Sequence, residues 1–109
     1  MAIVVQKYGG SSLVDAFAIQ RVARRIVKDR DMGDMIVAVV SAMASTTDNL
    51  IDLARQFTDK PDPRELDVLL STGELVSCTL MAMALRALGC EAVSLSGAQA
   101  GIRTNMSYG

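Results

Sequence analysis

A lysine and a pair of glycines at the end of the first apolar segment are the residues best suited to chemistry. Lys7 follows the apolar run at residues 2–5 and precedes Gly9, Gly10 and Ser11. Glycines permit positive φ and let backbone N–H groups approach a ligand, and the lysine and hydroxyl add donors to the same turn. A Walker-type loop places its lysine after the glycines, so this turn is not a P-loop. Such a turn can bind a phosphoryl group during its transfer, but Gly-Ser turns are also common in loops that bind nothing. This stretch alone leaves open whether it is a phosphate-binding turn or an ordinary loop.

Two further polar positions lie beside apolar segments. Ser41 directly follows the β-branched run at residues 35–40, which is typical of a parallel strand buried on both faces. Ligands of open α/β sheets bind outside the carboxyl ends of the strands, so Lys7 and Ser41 are expected to border one crevice. Glu74 heads an apolar segment, where a carboxylate either complements a helix dipole as a cap or accepts the ammonium group of a ligand.

The apolar periodicity predicts the elements that position these residues. Strands are expected at residues 2–5, 35–40 and 92–96, and helices at residues 15–28, 48–57, 63–70 and 75–88. Thr46 or Thr47 is the expected N-cap of the second helix, Asp62 that of the third, and Gly73 is expected to break or kink the chain before the fourth. This order predicts a three-layer α/β/α fold with a mainly parallel sheet.

The predicted helix at residues 75–88 is apolar almost all round, and Gly89 is its expected C-cap. A helix without a polar face must be covered on all sides, which favours a core or a subunit interface. Residues 103–109 end the chain within a loop, and three strands make a small sheet for so many apolar helical residues. We therefore expect the chain to be the N-terminal portion of a longer domain.

The composition excludes several classes of function. The chain has 109 residues, half of them apolar, and a net charge of −1, which gives no bias toward nucleic acid. It has no histidine, which excludes a Ser-His-Asp triad and His-ligated zinc within this chain. Cys78 and Cys90 are too few and wrongly spaced for a metal knuckle or a disulfide framework, which favours a reducing cytoplasm. No signal peptide is evident and the longest apolar stretch is expected to be shorter than a bilayer, so no membrane is predicted.

Four segments together resemble aspartate kinases, a branch of the amino-acid kinase superfamily. They are Lys-Tyr-Gly-Gly-Ser-Ser at residues 7–12, Val-Val-Ser-Ala-Met at 39–43 with Thr-Thr-Asp at 46–48, Leu-Leu-Ser-Thr-Gly-Glu at 69–74, and Gly-Ala-Gln-Ala-Gly-Ile at 97–102. The glycine turn alone resembles the wider superfamily, which includes acetylglutamate, glutamate 5-, carbamate and uridylate kinases. The Ser-Ala-Met and Ser-Thr-Gly-Glu motifs narrow the resemblance to the kinases that phosphorylate aspartate.

The resemblance implies an ATP-dependent phosphorylation of the side-chain carboxylate of L-aspartate, the first step toward lysine, threonine and methionine. It implies ATP with Mg²⁺ carried by the nucleotide, and no metal ligands of the chain's own. The lysine matching Lys7 contacts the transferring phosphoryl group in the family, and the turn matching Gly9, Gly10 and Ser11 cradles the ATP phosphates. The residues that match the family's contacts with the amino acid are Ser41, Thr47 and Glu74.

The chain also departs from the family pattern. Tyr8 stands where many members have Phe, Ser11 where many have Thr, Ala98 where relatives often have Trp, and Asn105 where Asp is usual. The family's adenine pocket, its substrate-binding arginine, a second catalytic acid and the regulatory ACT domains are expected beyond Gly109. The resemblance thus implies that residues 1–109 are the N-terminal portion of a kinase domain, which alone is inactive and does not respond to lysine or threonine. The full-length enzyme is expected to be a cytoplasmic homo-oligomer, a dimer. The alternatives are another amino-acid kinase, or a non-catalytic α/β module that serves only for assembly.

Overall fold

Two parallel strands lie at the centre of the fold in the computed structural model, which describes residues 2–96. Strand β1 spans Ile3–Tyr8 and strand β2 spans Met35–Val40. Their register pairs Ile3 with Met35 at one end and Tyr8 with Val40 at the other. Both strands were predicted, and β1 continues past the apolar run, so that Lys7 is the next-to-last residue of the strand.

Helix α1 spans Ala16–Asp31 and connects the two strands. Its N-cap is Asp15, whose carboxylate accepts a hydrogen bond from the Ala18 N–H at 2.8 Å. Its buried stripe has the three- and four-residue spacing that the sequence predicted: Ala18, Ile19, Val22, Ala23 and Ile26. The helix runs three residues beyond the predicted end at Lys28, and Gly33, with φ of 103°, makes the turn into β2.

Helix α2 spans Ala44–Arg55, and its predicted start was wrong. The N-cap is Met43, with no side-chain capping bond, and Thr46 and Thr47 lie inside the first turn. The Thr47 N–H donates to the Met43 carbonyl at 3.1 Å, as in a regular helix. The hydroxyl-rich sequence suggested a later cap, but the chain turns into the helix directly after the strand tip.

Helix α3 spans Pro63–Ala87 without interruption, so the predicted break at Gly73 was wrong. A glycine inside a helix costs about 1 kcal/mol relative to alanine, which close packing can offset, and Gly73 is buried. The predicted cap is confirmed, because the Asp62 carboxylate accepts from the Glu65 N–H at 3.0 Å. The C-cap is Leu88 rather than the predicted Gly89, which has φ of 80° and is the first residue beyond the cap.

Because α3 is continuous, its apolar stretch is longer than expected from the sequence. By length and composition alone, this 25-residue helix could cross a membrane, a test that core helices of soluble proteins also pass. Its Gly73, Ser77, Met81 and Leu85 stripe is buried against the rest of the described chain. The prediction of only short apolar stretches was wrong because it divided this helix in two.

One face of the sheet carries the core. The buried cluster joins α1 to α3, and its members are Leu13, Ile19, Val22, Ala23, Ile26, Met81, Leu85 and Cys90. The inward residues of the sheet that pack on this cluster are Tyr8, Ile36, Ala38 and Val40. The other face is exposed among residues 2–96, with Val5 at 63% and Val37 at 46% exposure. The described residues therefore form two layers of the predicted three, and the expectation that β2 is buried on both faces is wrong for this part of the chain.

The third predicted strand, at residues 92–96, does not form within the described residues. Side chains of α3 contact backbone carbonyls of this segment instead. The Arg86 Nε–H donates to the Ala92 carbonyl at 2.9 Å, and the Cys78 thiol lies 3.9 Å from the Leu95 carbonyl. The exposure of residues 91–96 still alternates as in a strand. The predicted loop at residues 97–102, with Ala98 and Asn105, lies outside the described residues.

Candidate functional site

The glycine turn forms where the sequence predicted it, at the carboxyl end of β1. Gly10, Ser11 and Ser12 make one 3-10 turn, in which the Ser12 N–H donates to the Gly9 carbonyl at 3.0 Å. Neither glycine uses the positive φ that its residue type permits, because Gly9 has φ of −82° and Gly10 is not among the described glycines with positive φ. The space around Gly10 favours glycine instead, since a Cβ there would lie 3.1 Å from the Ala42 carbonyl oxygen.

The tip of β2 adjoins this turn. The Ser41 N–H donates to the Tyr8 carbonyl at 3.1 Å, which extends the ladder one step beyond the strands. α2 then begins at Ala44, whose N lies 3.6 Å from the position of a Cβ on Gly10. The first N–H groups of a helix lack intrahelical acceptors and carry the positive end of its dipole. The glycine turn and the start of α2 thus place backbone donors side by side, a combination that suits an anion.

Lys7 lies on the exposed face of the sheet, paired in register with Val39. Its side chain makes no ion pair or hydrogen bond with other residues in the described part of the chain. Ser41 is half-buried two residues beyond Val39, and Thr47 is half-buried in the first turns of α2. Lys7 and Ser41 therefore belong to the same pair of strand tips, as predicted.

Glu74 lies in the middle of α3, so its interpretation as an N-terminal cap was wrong. The preceding hydroxyls bond back along the helix: Ser71 donates to the Val68 carbonyl and Thr72 to the Leu69 carbonyl, both at 2.6 Å. Glu74 is exposed and has no ion-pair partner among residues 2–96. A carboxylate that neither caps a helix nor pairs with a cation in this segment remains suited to a ligand's ammonium group.

Ala42 lies between the three motifs, and no feature of the sequence indicates its role. A Cβ on Gly73 would lie 3.0 Å from the Ala42 Cβ and 3.4 Å from Thr46 Cγ2. Ala42 therefore contacts the glycine turn through its carbonyl and α3 through its methyl group. The glycine turn, the Ser41 segment and the Glu74 segment therefore lie next to one another at Ala42. No hydrogen bond joins Lys7, Ser41, Thr47 and Glu74 to one another among the described residues.

A chain of hydrogen bonds anchors the end of β1 to α1, and the sequence does not predict it. The Tyr8 hydroxyl donates to Gln6 Oε1 at 2.6 Å, and Gln6 Nε2 donates to Asp29 Oδ2 at 2.7 Å. Burial raises the pKa of the Tyr8 phenol; the Arg25 charge opposes this, and the Asp29 carboxylate adds to it. The strand tip that carries Lys7 is thereby fixed from the side opposite to the lysine.

Neither of two shallow grooves coincides with the strand tips. One, of about 200 Å³, lies between α2 and α3 beside Phe57, Pro61 and Leu69, and its lining is mostly apolar. No group of three or more Cys, Asp or Glu side chains that could hold a metal ion occurs among residues 2–96. Within the described residues, the candidate site is an exposed surface at the strand tips, where the glycine turn, Ser41 and the start of α2 adjoin.

The sequence and the fold both resemble those of known proteins. The chain is 55% identical over 109 residues to the aspartokinase of Mycolicibacterium smegmatis and 50% identical to that of Geobacillus stearothermophilus, covering 100% of this chain and 26% and 27% of those proteins. The crystal structure of aspartate kinase from Synechocystis matches with a TM-score of 0.85 and 48% identity, over 91% of this chain and 17% of that one. The chain thus spans about a quarter of the length of the curated relatives it matches. The amino acid kinase family model matches residues 2–108, and the chain belongs to the amino acid kinase family.

Proposed function

We propose that this chain is the N-terminal portion of an aspartate kinase, which transfers the γ-phosphoryl group of ATP to the side-chain carboxylate of L-aspartate. A carboxylate oxygen of aspartate attacks the γ-phosphorus, the new P–O bond forms, and the bond to the β,γ-bridging oxygen breaks to release ADP. The product is 4-phospho-L-aspartate. The observation that carries the proposal is the close approach of Gly10 and Gly73 to Ala42, which brings the glycine turn next to the α3 segment that contains Glu74.

The proposed nucleotide contacts are Lys7 and the turn of Gly9, Gly10 and Ser11. Negative charge spreads over the transferring phosphoryl oxygens, and preorganised donors stabilise it most where they need not reorganise. Lys7 supplies a full positive charge from a strand tip, and the turn supplies N–H groups beside the start of α2. Mg²⁺ would arrive with the ATP phosphates, which matches the way this ion binds in kinases.

The proposed aspartate contacts are Ser41, Thr47 and Glu74. Glu74 would accept the α-ammonium group, and the two hydroxyls would donate to the acceptor's carboxylate groups. Holding the attacking oxygen in line with the phosphorus is the main task of such a site, since the substrate itself is the nucleophile. We place the enzyme in the cytoplasm as a homo-oligomer, for which the exposed apolar residues of α3, such as Leu80 and Met83, give a surface.

The direct test is a hydroxylamine-trapped acyl-phosphate assay on the full-length product of the gene. Lys7→Ala should lower kcat by about a hundredfold or more, the range seen when one donor to a transition-state oxyanion is lost. Lys28→Ala, which removes an exposed lysine on α1, is the matched control and should leave kcat unchanged.

Glu74→Gln should raise the KM for aspartate by about tenfold or more, because a charged hydrogen bond is lost. Glu65→Gln, which changes an exposed glutamate in the first turn of α3, is its control. The competing acceptors are glutamate, acetylglutamate, carbamate and uridylate, and their phosphorylation is measured by release of ADP because uridylate forms no acyl phosphate. Turnover with one of them in place of aspartate would assign another amino-acid kinase, and absence of phosphoryl transfer to any acceptor would favour an assembly module.

A further inference from the structure

Ala42 is contacted from two sides by glycines that belong to different binding segments. Gly10, in the glycine turn, would place a Cβ 3.1 Å from the Ala42 carbonyl oxygen. Gly73, in α3, would place one 3.0 Å from the Ala42 Cβ. Cβ contacts of 3.0–3.4 Å are tighter than most that folded proteins show, so an alanine at position 10 or 73 would require its neighbours to move by a few tenths of an ångström. The space at both positions therefore favours glycine over alanine.

Glycine lowers the stability of a helix, so Gly73 inside α3 needs a structural reason. Gly73 lies in the interior of α3, where alanine would stabilise the helix by about 1 kcal/mol if space allowed. Its φ is not positive, so no special backbone conformation calls for glycine. The close approach of α3 to the tip of β2 remains as the reason for a glycine at this position.

We propose that Ala42, held between Gly10 and Gly73, is a positioning residue that sets the separation between the phosphate turn and the Glu74 segment. This inference rests on the proposed kinase function. Glu74 directly follows Gly73, and Ser41 directly precedes Ala42, so a change in the Gly73–Ala42 distance moves the two proposed aspartate contacts relative to each other. Ala42 acts through its neighbours, by the size of its side chain and the position of its carbonyl.

The test is a methyl exchange in the full-length enzyme. Gly73→Ala adds a methyl group at the contact, and Ala42→Gly removes the methyl group that it strikes. Gly73→Ala should raise the KM for aspartate by roughly threefold or more, since a displacement of about 1 Å can cost a hundredfold and the shift here is a few tenths of an ångström. Adding Ala42→Gly to that variant should recover most of the loss, which is a coupling that two independent sites would not show.

Gly10→Ala provides the matched control. Its Cβ meets the Ala42 carbonyl oxygen, which no side-chain change at position 42 removes. Gly10→Ala should therefore raise the KM for ATP, and the added Ala42→Gly change should not restore it. Rescue at position 73 without rescue at position 10 separates a specific contact from general loosening of the fold.

Several outcomes would overturn the proposal. A folded Gly73→Ala enzyme with the wild-type KM for aspartate would do so, as would a folded double variant no better than Gly73→Ala. If Gly73→Ala does not fold, circular dichroism and activity of the double variant decide, because relief of the contact should restore both. A double variant that remains unfolded contradicts the proposal. Wild-type enzyme without aspartate kinase activity would instead refute the proposed function, and that assay is run first.

Discussion

Replacing Leu13 with alanine is expected to loosen the glycine turn from the core and to weaken ATP binding. Leu13 directly follows the 3-10 turn, and its N–H donates to the Gly10 carbonyl at 3.1 Å. Its side chain is 0% exposed and packs in the cluster that joins α1 to α3. The turn itself has no buried residue, so Leu13 is its main attachment to the interior of the described fold.

The size of the effect follows from this burial. Truncation of leucine to alanine removes three carbon atoms, worth about 2.4 kcal/mol at roughly 0.8 kcal/mol per buried methylene. The remaining cavity raises the expected loss to about 3–5 kcal/mol. Val14, the next residue, is 52% exposed, so Val14→Ala should cost only about 0.8 kcal/mol.

Hydrogen exchange of the full-length enzyme gives a local measurement, which suits a protein with several cooperative units. A loss of about 3 kcal/mol corresponds to roughly hundredfold faster exchange of amides that open with the core. Peptides from α1 should show this acceleration in Leu13→Ala and only roughly a fourfold change in Val14→Ala. The KM for ATP should rise in Leu13→Ala more than the KM for aspartate, because the turn belongs to the proposed nucleotide side. Leu13→Met, which nearly conserves volume, should stay within about 1.5 kcal/mol of the wild type.

Equal exchange rates in the Leu13→Ala and Val14→Ala enzymes would refute the attachment of the turn through Leu13. A faster-exchanging Leu13→Ala enzyme with an unchanged KM for ATP would refute the link between this attachment and the nucleotide.

Three other substitutions test single features of the structure. Ser77→Ala should stabilise α3 or leave its hydrogen exchange unchanged, because the buried Ser77 hydroxyl has no hydrogen-bond partner among residues 2–96; a loss above about 1 kcal/mol would show that it has one. Asp62→Ala should destabilise the first turn of α3 by about 1 kcal/mol, measured by exchange of its amides, whereas Asp62→Asn retains the acceptor and should lose little. The raised pKa of Tyr8 favours the neutral phenol in the folded state, so its stabilising contribution is complete below pH 10.0 and is lost as pH rises through the raised pKa. An ultraviolet difference titration of the wild type against Tyr8→Phe should show this late ionisation, and a tyrosine titrating at or below its usual pKa would contradict it.

Elements with strong local signals were predictable from the sequence. The β-branched run of β2, the apolar stripe of α1 and the Asp62 cap each depend on residues close in sequence, and each was confirmed. The continuity of the helix through Gly73 could not be predicted from the sequence, because it depends on which residues pack against Gly73 in the fold. Local propensity weighs against glycine by about 1 kcal/mol, and the contact with Ala42 is invisible without the fold.

The predicted site shows the same division. Lys7, Ser41 and Glu74 were predicted as site residues because charged or hydroxyl side chains stand out beside apolar segments. The residues that hold them in place are small or apolar, and their types are ordinary. Ala42 is such a residue, since nothing in an alanine after a strand indicates contacts with two glycines distant in sequence.

Each exposed residue of the candidate site lies next to a residue that is fixed by packing or hydrogen bonding. Lys7 precedes Tyr8, whose hydroxyl chain reaches Asp29 on α1, and Glu74 follows the buried Gly73. The turn likewise precedes the fully buried Leu13. Preorganised donors gain their effect by not reorganising during the reaction, so rigidity next to each group matters as much as the group itself. Substitutions at the buried neighbours should therefore change KM values even though these neighbours are not proposed to contact either substrate.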